Sequence, residues 1–186
     1  DRAKARATLQ VDDGTMLAFV DTRRVGTLDV RERAALDAVL ADKGLGPEPF
    51  PERRDGAWWQ SRIGNARKAI KPALMDQRRV AGIGNICASE ILFRARVSPM
   101  AAPATLDAAA WSAIADAAHA FLHAVVVVED GDEIAYVNDG ADGVPDEFAV
   151  YQREGEPCGT CGTEVARQVQ SGRSTFYCPS CQAEAA

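Results

Sequence analysis

Apolar positions recur with helical spacing in three parts of this 186-residue chain. Residues 85–97 place four of them on one face and therefore predict a helix that buries that face. Residues 106–128 predict one longer helix, and residues 28–43 predict a further amphipathic helix. The apolar positions are Ala88, Ile91, Leu92 and Ala95 in the first, Trp111, Ile114, Ala118, Phe121 and Val125 in the second, and Leu36, Val39 and Leu40 in the third.

Strands are predicted at both ends of the chain. Residues 5–11 and 16–21 flank Asp12-Asp13-Gly14, which is a strong hairpin turn, and residues 24–30 predict a third strand. Three strands cannot close a sandwich, and their open edges would favour pairing with other strands. A second hairpin is predicted from residues 165–169 and 175–177.

A turn rich in glycine separates two helices between residues 71 and 97. Lys71-Pro72 favours a helix start, and residues 79–84 interrupt the helical period. Asn85 is predicted to cap the next helix, in which Glu90 and Arg94 have the spacing of an exposed ion pair. A helix N-terminus behind such a turn presents free N–H groups to an anion, so a phosphate site is predicted. An ordinary solvated helical hairpin is the alternative.

Charge is distributed unevenly along the chain, which has a net charge of −6. Residues 61–100 contain eight basic and two acidic residues, so this stretch carries +6 and the remainder carries −12. Residues 101–150 contain ten acidic residues and no lysine or arginine, and we expect them to face away from any polyanion. The local excess of positive charge indicates a surface for a polyanion such as nucleic acid.

Four of the five cysteines form two pairs with the spacing of metal ligands. Cys158-x₂-Cys161 and Cys178-x₂-Cys181 are 16 residues apart, which predicts tetrahedral thiolate coordination of a structural Zn²⁺. Two disulfides are the alternative, and zinc is favoured because no signal peptide pattern is visible. The metal would supply much of the folding energy of so small a hairpin. Cys87 is expected to be an unpaired, buried thiol.

Other features carry less information about function. His119 and His123 are one helical turn apart but have no third ligand nearby in the sequence, so surface histidines are favoured over a metal pair. Trp58 and Trp59 are expected to pack in the core or at an interface. The longest apolar run, residues 125–128, is far too short to span a membrane.

Three segments resemble, in chain order, the formamidopyrimidine-DNA glycosylase and endonuclease VIII family. The resemblance covers nearly the whole chain and includes the helix–two-turns–helix motif, the last strands of the N-terminal β-sandwich and the C-terminal zinc finger. The matching strings are Leu17-Ala18-Phe19-Val20-Asp21-Thr22-Arg23-Arg24-Val25-Gly26, Lys71-Pro72-x-Leu74-Met75-Asp76-Gln77, Val80-Ala81-Gly82-Ile83-Gly84-Asn85-Ile86, Ala88-Ser89-Glu90-Ile91-Leu92-Phe93 and Gly172-Arg173-Ser174-Thr175-Phe176-Tyr177-Cys178.

The resemblance implies an α+β fold with a partial β-sandwich remnant, a helical domain and a C-terminal zinc β-hairpin. The expected domains are residues 1–30 for the strands, residues 31–147 for the helical DNA-binding domain and residues 148–186 for the four-cysteine zinc finger. The helix–two-turns–helix motif is expected at residues 71–97.

The resemblance also implies which residues contact DNA. Lys71, Gly84 and Asn85 match the family's phosphate contacts, and Arg173 matches the arginine at the tip of the zinc hairpin. Arg23 matches an arginine that enters the duplex where the damaged nucleotide is extruded. Val25 stands where the family usually has phenylalanine, so the wedge that fills the duplex is expected to be weakened or absent.

We therefore expect the damaged-DNA-binding part of a base-excision-repair DNA glycosylase and abasic-site lyase. Its partner would be double-stranded DNA containing damaged bases or abasic sites, and we expect a monomer in the bacterial cytoplasm. The family's proline nucleophile, glutamate and lysine lie upstream of the matching region, so no catalytic residue is assigned, and the α-amino group of Asp1 does not align with the nucleophile. The sequence may thus be a fragment or a natural truncation.

Two departures keep other functions open. The segment at residues 129–147 is shorter than the matching loop of formamidopyrimidine-DNA glycosylases and lacks its basic residue. This difference argues against selectivity for purine lesions and favours a paralogue or a lesion preference like that of endonuclease VIII. A non-catalytic truncated paralogue that binds DNA or regulates it is the main alternative. A zinc-ribbon adaptor for protein partners is the third, and the +6 stretch argues against it.

Overall fold

The computed structural model describes residues 5–21, 24–127 and 148–183, which form two compact units, Asp1–Lys43 and Gly44–Ala186. Its mixture of helices and small antiparallel sheets confirms the predicted α+β class. The division into domains at residues 1–30, 31–147 and 148–186 stays a prediction. In the described parts of the chain, no helix is long and apolar enough to cross a membrane.

The first unit contains the predicted N-terminal hairpin. Strands β1 (Ala5–Gln10) and β2 (Met16–Val20) are antiparallel, with Gln10 opposite Met16. The turn is fixed because the Asp13 carboxylate accepts the Thr15 N–H at 2.8 Å, while Gly14 adopts a φ of +86°. The prediction of a tight hairpin at this position is confirmed.

Two predictions for the first unit are wrong. Residues 24–30 form no strand, because Arg24 adopts a φ of +56° and the Asp21 carboxylate accepts the Gly26 N–H at 2.7 Å, which turns the chain. The helix predicted over residues 28–43 is limited to a 3-10 turn, Arg33–Ala35, and α1, Leu36–Asp42. Val30 is 84% exposed, so the start of the predicted helix has no apolar surface to pack against in this unit.

In the described part of the second unit, four helices build most of the core. They are α2 (Gly56–Ile63), α3 (Ile70–Leu74), α4 (Asn85–Arg94) and α5 (Ala108–Val127). The predicted apolar faces of α4 and α5 are confirmed, since their central residues are buried in one cluster. The large apolar side chains of that cluster that are less than 2% exposed are Trp59, Ile63, Ile70, Leu74, Ile83, Ile91, Leu92, Trp111 and Ile114.

Helix α2 packs very closely on α5. A Cβ atom at Gly56 would lie 2.8 Å from the Ser112 backbone nitrogen, so only glycine permits this approach. Asp55 caps α2 by accepting the Trp58 N–H at 2.8 Å. Trp59 is buried and Trp58 is half-buried, which confirms that both contribute to packing.

The C-terminal hairpin consists of β3 (Ala166–Gln170) and β4 (Arg173–Tyr177), paired antiparallel with Gln170 opposite Arg173. Its two-residue turn has positive φ at both Ser171 and Gly172, as in a type I′ turn, and therefore places Arg173 at the tip. A second small core lies beneath the hairpin, and Phe93 of α4 packs against it. The hairpin is thus joined to the helical part of the same unit.

Candidate nucleic-acid interface and metal centre

The glycine-rich turn before α4 is held by the side chain of Gln77. Its Oε1 accepts the Gly82 N–H at 2.8 Å, and its Nε2 donates to the Ile83 carbonyl at 2.9 Å. Gly82 has a φ of +87° and so occupies the backbone region that favours glycine. Gly46 packs beneath the turn, because a Cβ there would lie 2.5 Å from the Arg79 carbonyl oxygen.

Helix α4 begins without a side-chain cap, so the prediction that Asn85 caps it is wrong. The N-cap residue is Gly84, which has no side chain that could accept the first N–H groups of the helix. The Asn85 side chain instead accepts a hydrogen bond from Lys71 Nζ at 2.6 Å and donates Nδ2 to the Ser174 carbonyl at 3.0 Å. The charged Lys71 donor explains this choice, since hydrogen bonds to ionised groups are stronger than neutral ones.

Gly84 leaves the start of α4 open. Its φ of −96° is accessible to other residues, so its conformation does not require glycine. A Cβ at this position would meet no atom within 4 Å. The helix N-terminus therefore combines uncapped N–H groups, a partial positive charge and free space in front of them.

Lys71 connects this helix end to the zinc hairpin. Its side chain is 1% exposed, and Nζ also donates to the Ser174 carbonyl at 3.2 Å. Burial and the positive charge of Arg173 lower the pKa of the Lys71 ammonium to about 8. Because Ser174 follows Arg173 in β4, the structure brings Lys71, Gly84, Asn85 and Arg173 to one place.

A cationic cavity of about 410 Å³ opens beside these residues. Four positively charged side chains and one carboxylate, Asp76, line it, so a bound anion would be attracted. Its volume and charge suit an anion such as a phosphate group. The cationic lining residues are Lys68, Lys71, Arg78 and Arg173.

Arg23 and the loop at residues 129–147, for which the resemblance implies roles, lie outside the residues that the structure describes. Val25 is described and is 74% exposed in the first unit.

Glu90 is buried and not part of an exposed ion pair, so that prediction is wrong. The carboxylate is 0% exposed and accepts the N–H groups of Ala149, Val150 and Tyr151, each at 3.0 Å. Arg94 pairs with it from a partly exposed position. Glu90 is therefore satisfied by charge-assisted hydrogen bonds that hold the chain where it enters the zinc hairpin.

Two glutamines also anchor the hairpin, and the sequence analysis missed them. Gln170 Nε2 donates to the Pro99 carbonyl at 3.1 Å. Gln182 is buried, donates to the Val97 carbonyl at 2.9 Å and accepts the Cys178 N–H at 3.0 Å. Pro99 and Val97 are 71 and 85 residues away from these glutamines along the chain, so no local spacing signals these two contacts.

The four paired cysteines converge at the base of the hairpin. Their sulfur atoms all lie within 4.8 Å of one another, with Cys161 and Cys178 Sγ 3.5 Å apart and Cys158 and Cys181 Sγ 3.9 Å apart. A tetrahedral site with Zn–S bonds of about 2.3 Å has sulfur atoms about 3.8 Å apart, so the cluster fits zinc. All four are free of disulfides, which excludes the alternative, and Cys87 is also free and half-buried.

The two histidines form no comparable cluster. His119 and His123 have ring centroids 6.2 Å apart, and both contact Phe50. Among the described residues, no third ligand joins them.

A helix–two-turns–helix unit joined to a four-cysteine hairpin defines a class of zinc-finger proteins. Two family models match the chain: "Formamidopyrimidine-DNA glycosylase H2TH domain" over residues 45–135 and "Zinc finger found in FPG and IleRS" over residues 155–183. The chain belongs to the formamidopyrimidine-DNA glycosylase and endonuclease VIII family. Its cysteine cluster is accordingly a structural Zn²⁺ site.

Named relatives agree with this assignment. Formamidopyrimidine-DNA glycosylase of Thiobacillus denitrificans is 39% identical over 92% of this chain, and that of Streptococcus pneumoniae is 36% identical over 98%. The chain spans 63% and 67% of the lengths of these curated relatives. The solved structure of MutM (Fpg) from Thermus thermophilus is similar with a TM-score of 0.80 and 36% identity, over 98% of this chain and 70% of that one.

We predict that Glu90→Gln weakens the attachment of the zinc hairpin. The neutral amide cannot satisfy three N–H donors and Arg94 together, so unfolding should become easier by about 2–4 kcal/mol. Urea unfolding measures this loss, and amide hydrogen exchange should accelerate at Ala149, Val150 and Tyr151. Glu52→Gln changes an exposed carboxylate in the same unit and should shift stability by less than about 0.5 kcal/mol. Unchanged exchange at 149–151 would contradict the anchoring role.

We predict that Cys181→Ser releases the metal, whereas Cys87→Ser does not. Loss of one thiolate should lower bound zinc from about one ion per chain to near zero after dialysis, together with the melting temperature. Metal analysis and thermal unfolding measure both effects. Zinc retained by Cys181→Ser, or lost from Cys87→Ser, would show that the cluster is assigned wrongly.

Proposed function

We propose that this chain binds double-stranded DNA containing a damaged base or an abasic site and grips the phosphates beside an extruded nucleotide. It would do so as a monomer and as the DNA-binding part of a DNA glycosylase and abasic-site lyase. The proposal assigns no catalytic residue to the chain. The observation that carries it is the set of hydrogen bonds by which Lys71 and Asn85, at the start of α4, hold the Ser174 carbonyl next to Arg173, while Lys71 and Arg173 both line one cationic cavity.

Each residue has a distinct part in this proposal. The uncapped N–H groups behind Gly84 would bind phosphate oxygens directly, since the open space there admits a ligand. Arg173 would add a planar, bidentate donor from the hairpin tip. Lys71 uses two of its three N–H donors on Asn85 and Ser174, which leaves one donor for a phosphate oxygen.

Solved relatives support DNA as the partner. Fpg of Lactococcus lactis has been solved in a complex with DNA containing an abasic site, with a TM-score of 0.81 and 30% identity over 95% of this chain and 65% of that one. MutM in complex with DNA containing carbocyclic 8-oxo-G is similar with a TM-score of 0.82. Extruding a nucleotide costs a few kcal/mol, and firm contacts to the flanking phosphates would offset that cost. We extend the proposal to Arg23, which would enter the duplex.

We predict that the Asn85→Ala, Arg173→Ala double variant binds an abasic-site duplex about 100-fold more weakly than the parent chain. Loss of two charge-assisted or positioning contacts accounts for this factor, and the salt dependence should also become shallower. Fluorescence anisotropy at several salt concentrations measures both quantities. Arg167→Ala is the matched control, because Arg167 is on the same hairpin, pairs with Glu154 and is not among the residues that line the cavity. Equal, salt-indifferent binding by the double variant would refute the proposal.

We also predict that affinity for DNA falls as pH rises through about 8, because Lys71 then loses its positive charge. Stability should move in the opposite direction. The folded-state pKa is depressed from 10.5, so protonated Lys71 disfavours folding below about pH 8, and this cost is relieved between about 8 and 10.5. Binding and unfolding measured across this range should diverge in the parent chain. Lys71→Met removes the titrating group, and an identical pH profile in that variant would exclude Lys71 as the cause.

A further inference from the structure

A second group of cations lies on α2 and just before its start, outside the cavity. Arg54, Trp58 and Arg62 are four residues apart, and we refer to them together as the α2 basic strip. The Arg54 guanidinium lies 5.4 Å and the Arg62 guanidinium 5.8 Å from the centre of the Trp58 ring. Cation–π contacts therefore hold two arginines on one side of α2, with Trp58 half-buried between them.

The α2 basic strip is connected to the cavity through two consecutive arginines. Arg78 lines the cavity. Arg79 donates Nη1 to the Arg62 carbonyl at 2.8 Å and to Asn65 Oδ1 at 2.6 Å. The end of α2 is thereby tied to the residue that follows Arg78, so the two cationic surfaces are neighbours.

Carboxylates compensate this surface only in part. Within the described ranges, neither Arg62, Lys68 nor Arg78 forms an ion pair, and Arg54 pairs only with the exposed Glu52 at 3.2 Å. Arg53 differs from its neighbour, because it pairs with Asp116 of α5 and so has a partner within the fold. The fold therefore gives Arg53 an ion pair with α5, whereas the partners of the strip's two arginines are the Trp58 ring and the exposed Glu52.

We propose that the α2 basic strip is a second contact for the DNA backbone. It would bind phosphates of base pairs that flank the lesion, next to the phosphates bound at the cavity. This inference rests on the proposed function and extends its interface. Because the two guanidinium groups lie 5.4 and 5.8 Å from the centre of one ring, the two charges are at most about 11 Å apart, about three base-pair steps along a duplex. Such contacts position a duplex and contribute affinity but carry no lesion specificity.

Duplex DNA fits the strip better than an acidic peptide does. The strip adjoins the cavity proposed to bind phosphate, so one continuous polyanion would reach both. Trp58 has its ring engaged by two guanidinium groups, which leaves it unavailable to bind apolar side chains of a peptide. The strip thus offers two positive charges and no free aromatic face.

The test is an Arg54→Gln, Arg62→Gln double variant assayed on two abasic-site duplexes, one with flanks of about 10 base pairs and one with flanks of about 3. On the long duplex, we expect about 10-fold weaker binding and a salt slope reduced by about one to two. The same factor should apply to undamaged long duplex. On the short duplex, the variant should bind like the parent chain.

Controls separate contact from structure. Arg53→Gln, one residue away, should leave the salt slope unchanged on both duplexes. Arg54→Lys, Arg62→Lys keeps the charge and should restore the slope, whereas a merely structural role would not be rescued in this way. Equal melting temperatures of the variants and the parent chain confirm that folding is retained.

Each other outcome overturns the inference. An unchanged slope on the long duplex, or an equal loss on both duplexes, would show that the strip does not contact flanking DNA. A third outcome is that the parent chain binds a polyglutamate peptide, the double variant does not, and both bind DNA equally. This result would assign the strip to an acidic protein partner. If the parent chain binds no duplex at all, the proposed function itself is wrong. If the parent chain binds duplex and the Arg54→Gln, Arg62→Gln variant binds it equally well, only the inference about the strip is wrong.

Discussion

The carbonyl oxygen of Ser174 accepts hydrogen bonds from two side chains that are about 90 to 100 residues earlier in the chain, Lys71 Nζ and Asn85 Nδ2. Lys71 and Asn85 also bond to each other at 2.6 Å, so the three groups form a closed triangle. This triangle fixes the hairpin tip against the start of α4. The buried ammonium is tolerated because it has two acceptors, since an unpaired charge at that depth would strongly destabilise the fold.

The metal acts on this triangle through the backbone of β4. Cys178 follows the strand directly, and Gln182 ties its knuckle to the Val97 carbonyl. Glu90 holds the opposite end of the zinc hairpin at residues 149–151. Because metal affinity in so small a module is folding energy, the orientation of Arg173 depends on a cluster at the far end of its own hairpin.

Sequence patterns predicted the features that depend on neighbours along the chain. The buried face of α4 follows from the spacing of Ala88, Ile91 and Leu92, and the zinc site follows from the spacing of its cysteines. The patterns failed where a distant group decided the outcome. Asn85 would satisfy a local capping rule, yet Lys71 and Ser174 draw its side chain elsewhere. The roles of Glu90 and Gln182 depend on partners more than 50 residues away, which no periodicity encodes.

The resemblance predicted that the helix–two-turns–helix motif and Arg173 belong to one surface, and the hydrogen bonds to Ser174 supply the physical reason. Whether residues 24–30 form a third strand could not be decided from their sequence. Strand formation requires a pairing edge, and the local turn at Gly26 takes the chain away from β2.

The clamp at Glu90 has a consequence for how this protein can vary. The chain after α5 returns to a fixed point, because three consecutive backbone amides are bound there. Lengthening the connection between α5 and this point costs little closure entropy, since that cost grows only logarithmically with length. Segments of different size and composition could therefore be exchanged between Val127 and Phe148 without a change in the position of the hairpin. This junction is accordingly suited to sequence diversification and to the insertion of foreign segments.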